Sequence, residues 1–293
     1  MLILRLLLRN AFRQRLRAVL TIVATTIAIL AFGFLRTIVD AWYSGVEASS
    51  PKRLVTRNAI SLTTPLPISY KDKIKKIPGV KMVSYGNWFG GIYISEKNFI
   101  PNFAVEAETY LELYPEYVLS DEERRAFIKD RKGCVAGRKV AKEFGWSIGD
   151  TIVLKGTIFP GEWEFTLRGI YRGLKPTTDE TQLFFHFDYL NERLKKIYPQ
   201  RADHVGFFLI GIDDPRRAAE ISLQIDSLFK NSLAETLTET EKAFQLGFVA
   251  MTEAILITIK IISFVIIVII LAVVANTMAM NVRERLSEYA VMK

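Results

Sequence analysis

Residues 261–282 read IISFVIIVIILAVVANTMAMNV and residues 18–35 read AVLTIVATTIAILAFGFL; neither stretch holds a charged residue. Lys260 and Arg283 bound the stretch 261–282, the second run along the chain, and Arg17 and Arg36 bound 18–35, the first. The runs are 22 and 18 residues long, which as helices gives about 33 and 27 Å, close to a bilayer core of about 30 Å. A buried soluble helix of this length usually keeps a polar face. A secretory signal's apolar region is shorter, and Arg36 closes the first run without an A-x-A site. The expectation is therefore a first transmembrane helix over 18–38 and a second over 249–276.

The composition fits segregated greasy and charged stretches. The 293-residue chain is 50% apolar and 24% charged, with mean hydropathy +0.18 and a net charge of +8. Arg5, Arg9, Arg13, Arg15 and Arg17, with no acid among them, precede the first run. Positive residues stay on the cytoplasmic side, which puts the N-terminus there. Two crossings return the C-terminus to the same side, where Arg283 and Arg285 follow the second run. Trp42 and Tyr43 fall where an outer aromatic belt belongs. The basic pI reflects these arginines among others, so it is not read as nucleic-acid binding. Residues 1–17 read as a cytoplasmic amphipathic helix lying on the bilayer surface, with arginines every four residues.

Between the runs lies a folded domain, expected over 39–248. All ten prolines lie between Pro51 and Pro215, so turns concentrate there. Alternation and β-formers predict strands at Val80–Ser84, Gly91–Ser95, Thr151–Leu154, Phe165–Tyr171, Leu183–Phe187 and Val205–Ile212. Ser120-Asp-Glu-Glu123 is a capping box opening a helix toward Lys129. Gly137–Phe144 reads as a helix closed by Gly145, and Asp214-Pro215 as a cap before a helix through Phe229. The mixture without a βαβ rhythm predicts an α+β membrane protein. From Leu233 to Asn276 there is neither proline nor a glycine cluster, which predicts one long helix. Residues 52–232 alone are expected to fold as a soluble unit.

Catalytic signals are decoys. Gly145-Trp-Ser147-Ile-Gly149 matches the G-x-S-x-G elbow, but that motif needs a strand before the serine and a helix after it, and here the order is reversed. Gly133-Cys-Val-Ala-Gly137-Arg-Lys139 has the wrong spacing for a P-loop. His186, His204 and Cys134 are the whole supply of histidine and cysteine. They cannot build a Cys/His zinc cluster or a disulfide. No catalytic residue, cofactor or metal is expected.

AGRKVAKEFGWSIGDTIVLKG (136–156) and FTLRGIYRG (165–173) resemble the extracytoplasmic core domain of MacB/FtsX-type ABC transporter permeases. NTMAMNVRERLSEYAVMK (276–293) looks like that family's cytoplasmic segment after its second transmembrane helix. AETLTETEKAFQLGF (234–248) is similar to the helical stretch leading into that helix. The resemblance implies a partner ABC ATPase, a homo- or heterodimer of permeases in a lipid bilayer, and ATP-driven movement passed to the outer domain. It also implies four transmembrane helices. This chain ends at Lys293 within the segment leading to the third, so a fragment or half of a split protein is expected.

The tail has its own pattern. Met278, Val282, Leu286 and Tyr289 make an apolar helix stripe. Arg283, Glu284, Arg285 and Glu288 supply mixed charge suited to docking on a cytoplasmic partner. The resemblance assigns these four to coupling with the ATPase in 277–293. A two-helix sensor with an outer ligand-binding domain is the competing reading. Its linker ordinarily opens with a proline, which 276–293 lack. An anchored extracytoplasmic hydrolase is a third, without a supporting triad.

Overall fold

The computed structural model describes residues 15–98, 100–251 and 253–291. The expected surface helix over 1–17 thus lies mostly outside the described residues. In chain order the elements are helix α1 (Arg15–Ala48), strands β1 (Arg53–Asn58) and β2 (Leu66–Pro67), helix α2 (Tyr70–Ile74), strands β3 (Val80–Trp88), β4 (Gly91–Ile92) and β5 (Asn102–Val105), and helix α3 (Ala107–Leu113). Then come β6 (Tyr117–Val118), α4 (Asp121–Lys129), β7 (Gly133–Gly137), α5 (Arg138–Phe144), β8 (Thr151–Gly156), β9 (Gly161–Gly173), β10 (Leu183–His186) and α6 (Phe187–Ile197). The chain continues through β11 (His204–Val205), β12 (Phe207–Ile212), α7 (Ala218–Leu228), β13 (Thr236–Thr240), α8 (Glu241–Met251) and α9 (Glu253–Val291). It divides into two units, Gly45–Gly247 and the two terminal stretches.

The domain is built on one mixed sheet, ordered β13-β1-β12-β3-β5-β10-β7-β9-β8-β4, with β6 pairing β9. Strands β7 and β9 run parallel, as do β5 and β10; the other neighbours are antiparallel. Successive side chains of a strand point to opposite faces, and here both faces are covered. Leu183 and Phe185 of β10 join a core with α2, α5, α6 and α7, while Phe184 joins a second core with α3 and α4. Cys134, Val135 and Ala136 of β7 divide in the same way. Burial on both sides explains why GCVAG carries no alternation to read.

Local signals form as their chemistry requires. Ser120 and Glu123 make a reciprocal capping box on α4. Gly145 ends α5 in the left-handed region at φ 69°, where a side chain would be strained. Asp214 accepts from the Arg216 N–H before a 3-10 turn (Pro215–Arg217) leads into α7. The run Gly91–Ser95 is a strand only over Gly91–Ile92; beyond it Ile94 turns to φ 59°.

One expectation is corrected. Residues 236–240 form strand β13, not the start of a long helix. TLTET alternates and is threonine-rich, which suits a strand. Partners settle the choice: Leu54↔Thr240 through Asn58↔Thr236 pair with β1. On its outer edge Asp226 accepts from the Thr238 N–H at 3.0 Å and from the Thr236 and Thr238 hydroxyls. A fragment ending at residue 232 would therefore lack the strand that covers β1. The unit Gly45–Gly247 keeps it.

In the terminal stretches, α9 is an unbroken helix of 39 residues. It contains Ile257–Met280, which among the described residues is the one stretch long and apolar enough to cross a membrane. The first apolar run lies on α1, with Thr25–Ile38 as a shorter apolar portion.

Candidate functional site

β1 follows α1 in the chain, and β13 precedes α8 and α9. Their antiparallel register pairs Leu54 with Thr240, so the next positions, Arg53 and Glu241, come side by side. Arg53 Nε donates to Glu241 Oε2 at 2.8 Å. Its Nη1 donates to the Leu113 carbonyl at 2.9 Å and Glu116 Oε2 at 3.0 Å, and its Nη2 to Glu116 Oε1 at 2.5 Å. Four of the five guanidinium N–H groups are thereby used in a planar fork that suits carboxylates.

Tyr114 completes the cluster. Its ring lies 4.1 Å from the guanidinium carbon, and its hydroxyl donates to Glu241 Oε1 at 2.9 Å. The Ser50 N–H donates to Glu241 Oε2 at 2.7 Å. Arg53 and Glu241 are each only 5% exposed, so water contributes little. Burial is the largest influence on the Arg53 pKa and disfavours its charge. The Glu116 hydrogen bond, with Tyr114 and Glu241, outweighs burial and holds the pKa above the ordinary arginine value. Burial, then Glu241, pushes the Tyr114 phenol well up, so it remains a donor. Sequence reading missed this cluster. Its one local signal was a charged residue, Arg53, directly before the apolar pair Leu54-Val55.

Arg283, Glu284, Arg285 and Glu288 all lie on α9, in direct helical continuation of the apolar stretch. Arg283 is exposed; the other three side chains lie outside the described residues.

Each decoy has a structural role. Gly145–Gly149 is a helix-to-strand turn, in which the Ser147 N–H donates to Asp150 Oδ2 at 2.8 Å. Cys134 is fully buried and its thiol pKa is pushed up by that burial, which suppresses nucleophilicity. Among the described residues no His, Cys, Asp and Glu group could hold a metal ion.

Buried titratable groups make stability depend on pH. His186 Nε2 donates to the Phe127 carbonyl at 2.6 Å, and burial lowers its pKa below 6.5. Burial would raise the carboxyls of Glu123 and Glu180. Ser120 and the Ile170 N–H outweigh it at Glu123, and the Gly173 N–H and Arg138 outweigh it at Glu180, leaving both below 4.5. The unfolded chain takes up the histidine proton first as pH falls, so stability drops from about pH 6.5 downward. The two carboxylates stabilise above 4.5, and their contribution is lost as pH falls through their lower folded values. Melting of the domain should fall in two stages on acidification, and His186→Gln should remove the upper one. A melting temperature unchanged between about pH 7.5 and 5 would contradict the buried neutral histidine.

Residues 18–228 match the family model described as the MacB-like periplasmic core domain. Two solved structures are similar. The periplasmic region of MacB from Actinobacillus actinomycetemcomitans matches with TM-score 0.50 and 10% identity, covering 69% of this chain and 95% of that one. The extracellular domain of the noncanonic ABC-type transporter YknZ from Gram-positive bacteria matches with TM-score 0.47 and 11% identity, covering 64% of this chain and 100% of that one. No curated protein matches the chain. At 10% identity the MacB region speaks to the fold alone; the family rests on the model match, which spans the first apolar run and the sheet through α7. With its extracytoplasmic mixed α/β domain and an apolar helix leaving it, the chain belongs to the MacB/FtsX-type family of ABC transporter permeases.

Proposed function

We propose that this chain is the transmembrane subunit of an ABC transporter and passes movement driven by a partner ATPase to its extracytoplasmic domain. Both apolar runs cross the bilayer, both ends lie in the cytoplasm, residues 39–248 lie outside, and two permease chains assemble. The observation that carries this reading is the continuity of α9, which runs from Glu253 through the apolar stretch to Val291 without a break. A rigid helix passes displacement on; a flexible joint would absorb it. Arg283, Glu284, Arg285 and Glu288 are the docking charges at its cytoplasmic end.

The test is the double variant Arg283→Glu with Arg285→Glu in the assembled transporter. Like charges brought together at an interface cost several kcal/mol, so ATPase binding or coupled turnover should fall by about tenfold or more. Reporter fusions at residues 130 and 293 must first report opposite sides, because the same arginines bias orientation. The pair changed to alanine should be milder. A reversed protein that inserts correctly, binds its ATPase normally and works at full rate reduces these residues to a membrane flank.

A further inference from the structure

We propose that the Arg53 cluster is a mechanical joint, tying the segment that leaves through Glu241 to the body of the domain so that the two move together. The inference rests on the coupling reading above for its use, but its geometry stands alone. β13 is the outermost strand of the sheet and meets it through five residue pairs with β1. A displacement arriving along α8 acts first on this edge, where strands open most easily. Glu241 opens α8 at that junction, and three donors from different positions hold its carboxylate: Ser50 N–H, Arg53 Nε and Tyr114 Oη.

The cluster also has an outlet. Glu116 accepts from Arg53 through its side chain, and its backbone carbonyl accepts from the Leu174 N–H at 2.9 Å. In parallel, Tyr114 stacks on Tyr117 at 5.3 Å, Tyr117 meets Tyr171 at 4.8 Å, and the Tyr171 hydroxyl donates to the Asp179 carbonyl at 3.0 Å. Both routes end in the loop 174–182 between β9 and β10, where Leu174 stands exposed. Displacement of Glu241 therefore reaches that loop through packed and bonded groups rather than by peeling β13 from β1. Buried charge pairs are poor stabilisers compared with apolar packing, but pulling one partner away leaves an uncompensated buried charge, so the bonded arrangement resists being separated. Resistance to separation is what a joint requires.

Hydrogen exchange on the full chain in a bilayer disc tests the joint. Glu241→Gln keeps the shape and removes the charge. The amides of Leu237 and Glu239, which strand alternation turns toward β1 because Thr238 faces Asp226, should exchange about tenfold faster. The Leu174 amide should follow, while amides of β7 and β10 stay at the wild-type rate. Tyr114→Phe, which retains the ring on Arg53, should give the same pattern at smaller size if Glu241→Gln fails to fold. Unchanged exchange at Leu174, or equal acceleration across every strand, overturns the joint and leaves a merely stabilising cluster. The measurement uses no ATPase, so a chain that binds none would end the coupling reading while leaving this result intact.

Discussion

Replacing Arg53 by methionine should destabilise the domain by about 3–5 kcal/mol, the range for removing one partner of a buried ion network. The cost does not lie in lost attraction alone. Methionine leaves Glu116 and Glu241 near each other at a site where Glu241 is 5% exposed, and leaves the Leu113 carbonyl without its donor. Two carboxylates with no cation must protonate or draw in water, and either opens the junction of β1 with α8. The triple variant Arg53→Met, Glu116→Gln and Glu241→Gln should recover much of the loss, because it removes all three charges. Urea unfolding of residues 45–247 at unchanged denaturant slope is the measurement. A loss below about 1 kcal/mol for the single variant would place the cluster among ordinary surface pairs.

The second large effect is expected at Trp163. It is 1% exposed, meets Phe89 edge-on at 5.3 Å and donates its indole N–H to the Phe159 carbonyl at 3.0 Å. Arg193 lies over its ring at 4.1 Å. Truncation to alanine removes the largest buried side chain of the β8–β9 hairpin, whose turn cannot collapse inward. Gly156 beside it has no room even for a Cβ, which would fall 2.0 Å from the Phe159 carbonyl oxygen. Trp163→Ala should therefore cost about 3–5 kcal/mol. For a domain of this size that lowers the melting temperature by about 6–20 °C. Trp163→Phe fills most of the space but strands the Phe159 carbonyl, at about 1–2 kcal/mol. A melting temperature within a few degrees of wild type for Trp163→Ala would show that the aromatic cluster repacks.

Local chemistry is legible in the sequence itself. A capping box needs only Ser120 and Glu123, three residues apart, and both are bonded as written. A helix closed by glycine needs only Gly145, and an apolar run long enough for a bilayer needs only its own composition. The strings 136–156 and 165–173 likewise pointed to the family that the match over 18–228 supports. What escaped were features whose partners lie far along the chain. β7 shows no alternation because helices cover both faces of the sheet. β13 carries no proline or glycine and read as helix until β1 supplied its hydrogen bonds. Gly137 reads as the start of a helix; in the fold a Cβ there would fall 2.0 Å from the Glu180 carbonyl oxygen, so its smallness serves a contact 43 positions away. Arg53 finds Glu116 after 63 positions and Glu241 after 188. Composition and short-range pattern determined the long apolar helix, the turns and the helix ends, since each depends on neighbours a few residues apart. Strand register determined the buried charge cluster, because only the pairing of β1 with β13 brings Arg53 against Glu241.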